Sequence, residues 1–187
     1  MAHSLAFAEA AEAVVGGPPG EVLDLGSGGG IPGLILADRW AGSQAAFLEG
    51  SVRRGRFLEE AAQALGWTEA GRVTVLIGRA EELGRQPEWR EQRDLVVARL
   101  FGAPAVTVEC GGPLVRPGGL LVVSEPPDEA ESARQDRWPR EVLAMQGLES
   151  AATIRRRGFG FHVLRKVQPT PDRYPRRVGI PAKRPLY

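Results

Sequence analysis

The sequence predicts an α/β fold in which a doubly wound, mostly parallel seven-stranded sheet ends with an antiparallel strand. Short apolar or β-branched runs alternate with helical segments five times, which is typical of parallel strands joined by crossover helices. Two further strands follow each other around Gly158, and so short a link indicates an antiparallel hairpin. A glycine-rich turn directly follows the first strand, and in such sheets ligands bind at this edge.

The first half of the chain supplies three helices and three strands. Helical spacing of apolar residues predicts helices over residues 4–15, 32–40 and 52–65. Apolar and β-branched runs predict strands over residues 22–25, 45–48 and 72–77. The third helix should turn its apolar residues toward the sheet and end at a Gly66 cap; these residues are Val52, Phe57, Leu58, Ala61, Ala62 and Leu65.

The second half supplies four strands. They are predicted over residues 95–98, 120–123, 151–156 and 159–167. A helix over residues 103–114 carries Pro104 in its first turn, and residues 116–119 form a turn before the fifth strand. A helix over residues 129–145 is interrupted or started afresh near Trp138 and Pro139.

Length and composition favour a single domain over residues 1–187, because 187 residues can bury one substantial core. Residues 1–20 are a helical lead-in and residues 168–187 a basic, proline-rich tail. The single cysteine, Cys110, excludes an intramolecular disulfide and a cysteine-rich zinc site and is expected to be buried. We expect no metal site, and the absence of a basic leader or an apolar run long enough for a membrane span favours a cytoplasmic protein.

The formal net charge of +1 hides an uneven distribution. From Arg155 onward ten basic residues face one acidic residue, whereas the preceding 154 residues hold 14 basic and 22 acidic ones. A basic segment on an acidic body suggests a polyanionic partner. Because five prolines disfavour a helix, we expect the tail to be extended, to follow an RNA backbone, and to be dispensable for the cofactor site.

The glycine-rich turn over residues 26–33 admits two interpretations. Its G-x-G-x-x-G pattern fits a dinucleotide-binding turn, in which Glu49 lies at about the distance of a ribose contact. Asp24, however, lies at the end of the preceding strand, where a carboxylate would repel a pyrophosphate and attract an ammonium group. The pattern Asp24, Gly26, Gly28, Gly30 is similar to the first motif of class I methyltransferases, whose S-adenosylmethionine carries such an ammonium group.

Further candidate residues follow the other parallel strands at the same edge of the sheet. Glu49 follows the second strand, Ala80 and Glu81 the third, and Arg99 the fourth. Because the carboxyl ends of parallel strands meet at one edge, we expect these residues to surround one ligand. A carboxylate at Glu49 can accept hydrogen bonds from both ribose hydroxyls.

Four segments in sequence resemble the RsmG (GidB) family of bacterial 16S rRNA guanine-N7 methyltransferases. They are residues 23–33, 53–58, 78–82 and 98–101, and the end of the chain over residues 174–186 is also similar. The resemblance implies a Rossmann-like methyltransferase fold and S-adenosylmethionine contacts at Gly26, Ile31, Ala80, Glu81 and Arg99. It also implies ribosomal RNA, or the small ribosomal subunit, as partner.

Methylation of guanine N7 requires no general base, because N7 carries a lone pair and no proton. The transfer then depends on placement of the base, and we name no catalytic residue. Arg99 is the candidate for positioning the base or a phosphate, since its fork can bind guanine O6 or a phosphate. We interpret His3 and His162 as structural or solvated, because neither lies near a motif.

Two features depart from the family, and they keep other functions open. Only about 20 residues precede the glycine turn, and Glu125 lies where the family tends to have a lysine-glycine pair. A negative charge near the substrate mouth would favour a methyltransferase of the same fold acting on a small molecule or a protein. A non-enzymatic nucleotide- or RNA-binding protein is the third possibility.

Overall fold

The computed structural model describes residues 1–126 and 137–187. Its strands are β1 Glu21–Leu25, β2 Gln44–Glu49, β3 Val73–Ile77, β4 Arg93–Ala98, β5 Val115–Glu125, β6 Leu148–Arg156 and β7 Phe159–Lys166. Its helices are α1 Ala2–Val15, α2 Gly33–Arg39, α3 Val52–Ala64, α4 Ala80–Leu83, α5 Pro104–Gly111, α6 Arg140–Met145 and α7 Ile180–Lys183. No helix among these residues is long and apolar enough to cross a membrane.

The seven strands form one sheet in the order β3-β2-β1-β4-β5-β7-β6. Strands β1 to β5 pair in parallel, and β7 runs antiparallel to both β5 and β6. The predicted doubly wound sheet with an antiparallel last strand is therefore confirmed. The chain reverses its direction across the sheet between β1 and β4, which places the switch point beside the glycine turn.

Apolar layers cover both faces of the sheet. One layer joins α1, α2 and α3 to the sheet through residues such as Phe7, Trp40, Phe47, Leu58 and Phe161. The other joins α4, α5 and α6 to the opposite face and contains Cys110, which is buried as expected. Both faces are covered because the helices before β3 pack on one face and those after β3 on the other, and this explains why the central strands are largely apolar.

Three details of the predicted elements are wrong. Residues 116–119 belong to β5, which begins at Val115 and shifts its register against β4 between Arg93 and Leu95. β6 begins at Leu148, three residues earlier than predicted. On α3 the predicted inner face is wrong in part, because Val52, Phe57 and Leu65 are exposed.

The predicted helix over residues 129–145 falls partly outside the described residues. Within them, α6 begins directly after Pro139, as expected for a helix started afresh at that proline.

Candidate functional site

Two cavities lie side by side at the carboxyl edge of the parallel strands. The larger has a volume of about 790 Å³ and is lined by the turn after β1, by residues 48–51 and Arg54, and by residues 78–80. The smaller, of about 420 Å³, lies over the ends of β5 and β7. Arg99, Leu100 and Phe101, which follow β4, line both cavities and separate them.

The glycine turn forms one wall of the larger cavity with bare backbone. Gly26 and Gly28 have φ angles of 72° and 58°, a left-handed conformation that side chains other than glycine rarely adopt. A Cβ at Gly26 would come within 2.6 Å of the Phe101 ring, whereas a Cβ at Gly28 would meet only the Gly26 carbonyl oxygen, 3.9 Å away. Gly30 does not line the cavity and is required for packing, because a Cβ at this position would collide with Leu34.

Glu49 lines the larger cavity as predicted, and its carboxylate is already hydrogen-bonded. The amide N–H groups of Gly28 and Ser51 and the guanidinium of Arg54 each donate to it over 2.8 Å. Burial alone would raise the pKa of Glu49, but these three hydrogen bonds outweigh it and hold the pKa below its usual value. Glu49 is therefore a fixed carboxylate that ties the glycine turn to the start of α3.

Asp24 does not line the cavity, and the predicted contact of its carboxylate with a ligand stays a prediction. The side chain is only 2% exposed, and its Oδ2 accepts a hydrogen bond of 3.0 Å from the Gly33 N–H at the start of α2. Burial raises the pKa of Asp24 to about 7, although the Gly33 hydrogen bond opposes this shift. Asp24 thus stabilises the turn by binding the backbone at the start of α2.

Glu81 does not line the larger cavity, while the neighbouring Ala80 does. The Glu81 carboxylate accepts the Gly179 N–H over 2.9 Å and a 3.2 Å hydrogen bond from Arg79. Burial would raise the pKa of Glu81, but these hydrogen bonds lower it. Glu81 therefore contacts the tail, and its predicted contact with a ligand stays a prediction.

The tail folds back onto the body and contains a short helix, so the predicted extended tail is wrong. Arg176 binds the buried carboxylate of Glu109 through Nε over 2.8 Å and through Nη2 over 2.6 Å. Arg90 donates to the backbone carbonyls of Thr170 and Tyr174. The tail also contains α7, which begins at Ile180 and tolerates Pro181 in its first turn, and Ala182 of α7 lines the larger cavity.

Leu100 lies at the boundary between the two cavities and lines both. It has a φ of 54° and is 87% exposed, an unusual combination for a large apolar residue. Arg99 lines both cavities beside it. An apolar ridge next to a guanidinium can touch the flat face of a ring while the guanidinium binds its polar edge.

The smaller cavity is largely aromatic and apolar. Trp138 and Phe159 line it together with His3, which the sequence analysis placed away from any motif. Burial lowers the pKa of His3, and its ring packs edge-on against Phe159 at 4.7 Å between centroids. His162 lies elsewhere, stacked on Trp138 at 4.9 Å, where burial lowers its pKa to about 4, as fits a structural histidine.

Glu125 lines the smaller cavity, but its charge is paired. Its Oε1 accepts a 2.6 Å hydrogen bond from the Trp138 indole, and its Oε2 lies 3.1 Å from Arg137 Nε. The ion pair with Arg137 largely compensates the negative charge within the protein, and only 9% of the residue is exposed. The negative charge of Glu125 is therefore no longer an argument against an RNA substrate.

Phe101, Leu100 and Ala182 are lining residues that the sequence analysis missed. Phe101 and Leu100 directly follow Arg99, so their position after β4 could have identified them. Ala182 has an apolar side chain and lies at least 76 positions from every other lining residue, so no local signal marks it.

Comparison with known proteins gives one consistent result. A family model described as rRNA small subunit methyltransferase G matches residues 2–152. The chain is 38% identical over 182 residues to a ribosomal RNA small subunit methyltransferase G from Symbiobacterium thermophilum, covering 93% of this chain and 73% of the relative. A relative of the same name from Deinococcus deserti is 38% identical over 170 residues, covering 89% and 68%.

Solved structures share the fold at low sequence identity. A putative sarcosine dimethylglycine methyltransferase from Galdieria sulphuraria superposes with a TM-score of 0.65 at 16% identity, covering 86% of this chain and 84% of the other. A putative S-adenosylmethionine-dependent methyltransferase from Methanococcus maripaludis gives 0.63 at 17% identity, covering 87% and 84%. These likenesses support the Rossmann-like α/β architecture alone.

Proposed function

Because this chain belongs to the rRNA small subunit methyltransferase G (GidB) family, we propose that its larger cavity binds S-adenosylmethionine and its smaller cavity receives a guanine of 16S ribosomal RNA. The protein is thus an S-adenosylmethionine-dependent rRNA methyltransferase, and guanine N7 is the proposed acceptor atom. The observation that carries the site assignment is the pair of cavities meeting at Arg99, Leu100 and Phe101. A methyl donor on one side and its acceptor on the other need such a shared boundary.

The larger cavity fits S-adenosylmethionine in volume and in chemistry. About 790 Å³ lies within the range of small-molecule sites, and Gly26 and Gly28 leave backbone open to a ligand. Glu49 accepts three hydrogen bonds, and since a carboxylate has about four acceptor positions, it can still accept one from a ribose hydroxyl. Ile31 and Ala80 supply apolar surface to the same cavity.

The smaller cavity fits a purine. Trp138 and Phe159 offer aromatic surface to a planar base, and Leu100 offers apolar surface at the boundary. Arg99 can bind guanine O6, which lies on the same edge of the base as N7, and so hold that edge toward the larger cavity. When bound, S-adenosylmethionine supplies an electrophilic methyl group, and the protein supplies placement rather than proton transfer.

The tail contributes part of the proposed RNA surface. Arg176 is engaged with Glu109, but Arg173, Arg177, Lys183 and Arg184 remain exposed on a segment that also lines the larger cavity. Positive side chains held beside the cofactor can contact the phosphates of RNA whose target base enters the smaller cavity.

A methyl-transfer assay tests this proposal. S-adenosylmethionine labelled with tritium in its methyl group is incubated with the protein and either 16S rRNA or small ribosomal subunits. We expect label in the RNA, and aniline cleavage at N7-methylguanosine to identify one guanine. Gly28→Val serves as the inactive control, because a branched side chain would intrude on the bare wall. Label in a protein or a small molecule, with none in RNA, would refute the proposal.

A further inference from the structure

The start of α3 exposes apolar and basic side chains together. Val52 and Phe57 are 56% and 49% exposed, and Arg53 and Arg56 are exposed beside them. We call these four residues the α3 patch. They line a shallow groove of about 540 Å³ with Glu60 at its border.

The packing of α3 explains why this patch faces outward. Gly55, Leu58 and Ala62 form the buried stripe of the helix, and a Cβ at Gly55 would collide with Ile77 of β3. This close approach fixes the rotation of α3. Phe57 lies about 100° around the helix from Leu58, and it is therefore turned away from the sheet.

The charge of the α3 patch is open to a partner. Within residues 1–126 and 137–187, Arg53 and Arg56 make no ion pair, whereas Arg54 between them pairs with Glu49 over 2.8 Å. Arg54 also lines the larger cavity, so the α3 patch borders its mouth. An exposed aromatic ring flanked by two unpaired guanidinium groups suits single-stranded nucleic acid, because the ring stacks on a base and the cations contact phosphates.

The position of the α3 patch fits RNA that already occupies the site. The helix that carries the patch packs on β2 and β3, and the smaller cavity lies over β5, three to four strand positions away in the sheet. At about 4.8 Å per strand this is roughly 14 to 19 Å, a span that a few nucleotides cover.

We propose that the α3 patch binds single-stranded rRNA next to the target guanine, with Phe57 stacking on an unpaired base and Arg53 and Arg56 contacting phosphates. This inference rests on the proposed function and adds a second contact region to it. An occupant of this kind also explains why apolar side chains are kept at the surface beside the cavity.

Two variants test the inference: Phe57→Ala, and Arg53→Gln combined with Arg56→Gln. We expect Phe57→Ala to raise the dissociation constant for 16S rRNA about tenfold, the size of one lost base stack. The double variant should reduce the slope of log affinity against log salt by about 1.4, or about 0.7 for each lost phosphate contact. Calorimetry should give an unchanged affinity for S-adenosylmethionine, because Arg54 and Glu49 are retained.

The chain provides matched controls. Leu65→Ala removes an apolar residue that is 54% exposed at the other end of α3, and Arg85→Gln removes an exposed arginine elsewhere. Both should bind RNA as the wild type does. If the α3 patch variants behave like these controls while the wild type methylates 16S rRNA, the inference is wrong and the proposed function stands.

Two other outcomes are equally decisive. If the variants bind and methylate naked 16S rRNA normally but fail on small ribosomal subunits, the α3 patch contacts a ribosomal protein and the RNA assignment is wrong. If the wild type transfers no label to any ribosomal RNA, the proposed function itself fails.

Discussion

Replacing Arg176 by methionine should destabilise the protein and open the larger cavity. Glu109 on α5 is fully buried, and its carboxylate accepts two hydrogen bonds from the Arg176 side chain and one of 2.8 Å from the Arg176 backbone N–H. Hydrogen bonding to Glu109 raises the pKa of Arg176 above its usual value. In Arg176→Met the carboxylate keeps only the backbone donor.

The expected loss in the free energy of unfolding follows from leaving the Glu109 carboxylate buried without the Arg176 guanidinium. Such a change costs about 3–5 kcal/mol, and we expect about 3 kcal/mol here, because the backbone N–H remains and the Arg176 side chain is 28% exposed. Glu109→Gln removes the charge and should cost less, about 1–2 kcal/mol. The double variant should cost less than the sum of the two, since neither charge is then left alone.

Urea denaturation followed by circular dichroism measures these free energies of unfolding. Calorimetry on the same variants measures S-adenosylmethionine affinity, which should fall in Arg176→Met because Ala182 lines the cavity only while the tail is docked. A loss of stability below about 1 kcal/mol, with full additivity in the double variant, would refute the reasoning that this pair holds the tail.

Three further predictions concern the larger cavity and the turn beneath it. Gly28→Val should abolish S-adenosylmethionine binding in calorimetry while the protein stays folded; normal affinity would contradict the site. Glu49→Gln should weaken that binding by about 1.5–3 kcal/mol, the value of hydrogen bonds to a charged acceptor, and equal affinities would show that Glu49 makes no ligand contact. Burial raises the pKa of Asp24 from 3.8 to about 7, so its proton stabilises the folded state fully below pH 3.8, and this contribution is lost as pH rises to about 7. Relative to Asp24→Asn, the wild type should therefore lose stability between pH 4 and 7, by at most about 4 kcal/mol in urea denaturation; a parallel pH dependence of the two proteins would contradict the shift.

The sheet was predictable because its signals are local. Each parallel strand is a short apolar run, and the glycines after β1 predict a turn independently of the rest of the chain. The position of Glu49, Ala80 and Arg99 at one edge then followed from the topology alone, and all three line the larger cavity.

The directions of individual side chains were not predictable in the same way. The sequence places Asp24 at the end of β1, but the Gly33 N–H that holds its carboxylate depends on how the turn closes. The inner face of α3 was misjudged because hydrophobicity identified Phe57, while the close packing of Gly55 on Ile77 decides the rotation of the helix.

The hydrogen bond between Glu81 and the tail was missed for a different reason. Its partner, the Gly179 N–H, lies 98 residues further along the chain, and no periodicity connects the two positions. Prolines in the tail disfavoured a long helix, but they did not indicate whether the tail would dock.

The docked tail makes opening of the cavity a local unfolding event. Its contacts join residues 67 to 98 positions apart, so the tail can detach while the sheet stays intact. If S-adenosylmethionine binds the docked form, thermodynamic linkage requires that it slow hydrogen exchange at the Arg176 and Gly179 amides by the same factor by which docking raises its affinity. The effect of docking on the affinity for the cofactor and the effect of the cofactor on the persistence of these two hydrogen bonds are then one free energy observed in two ways.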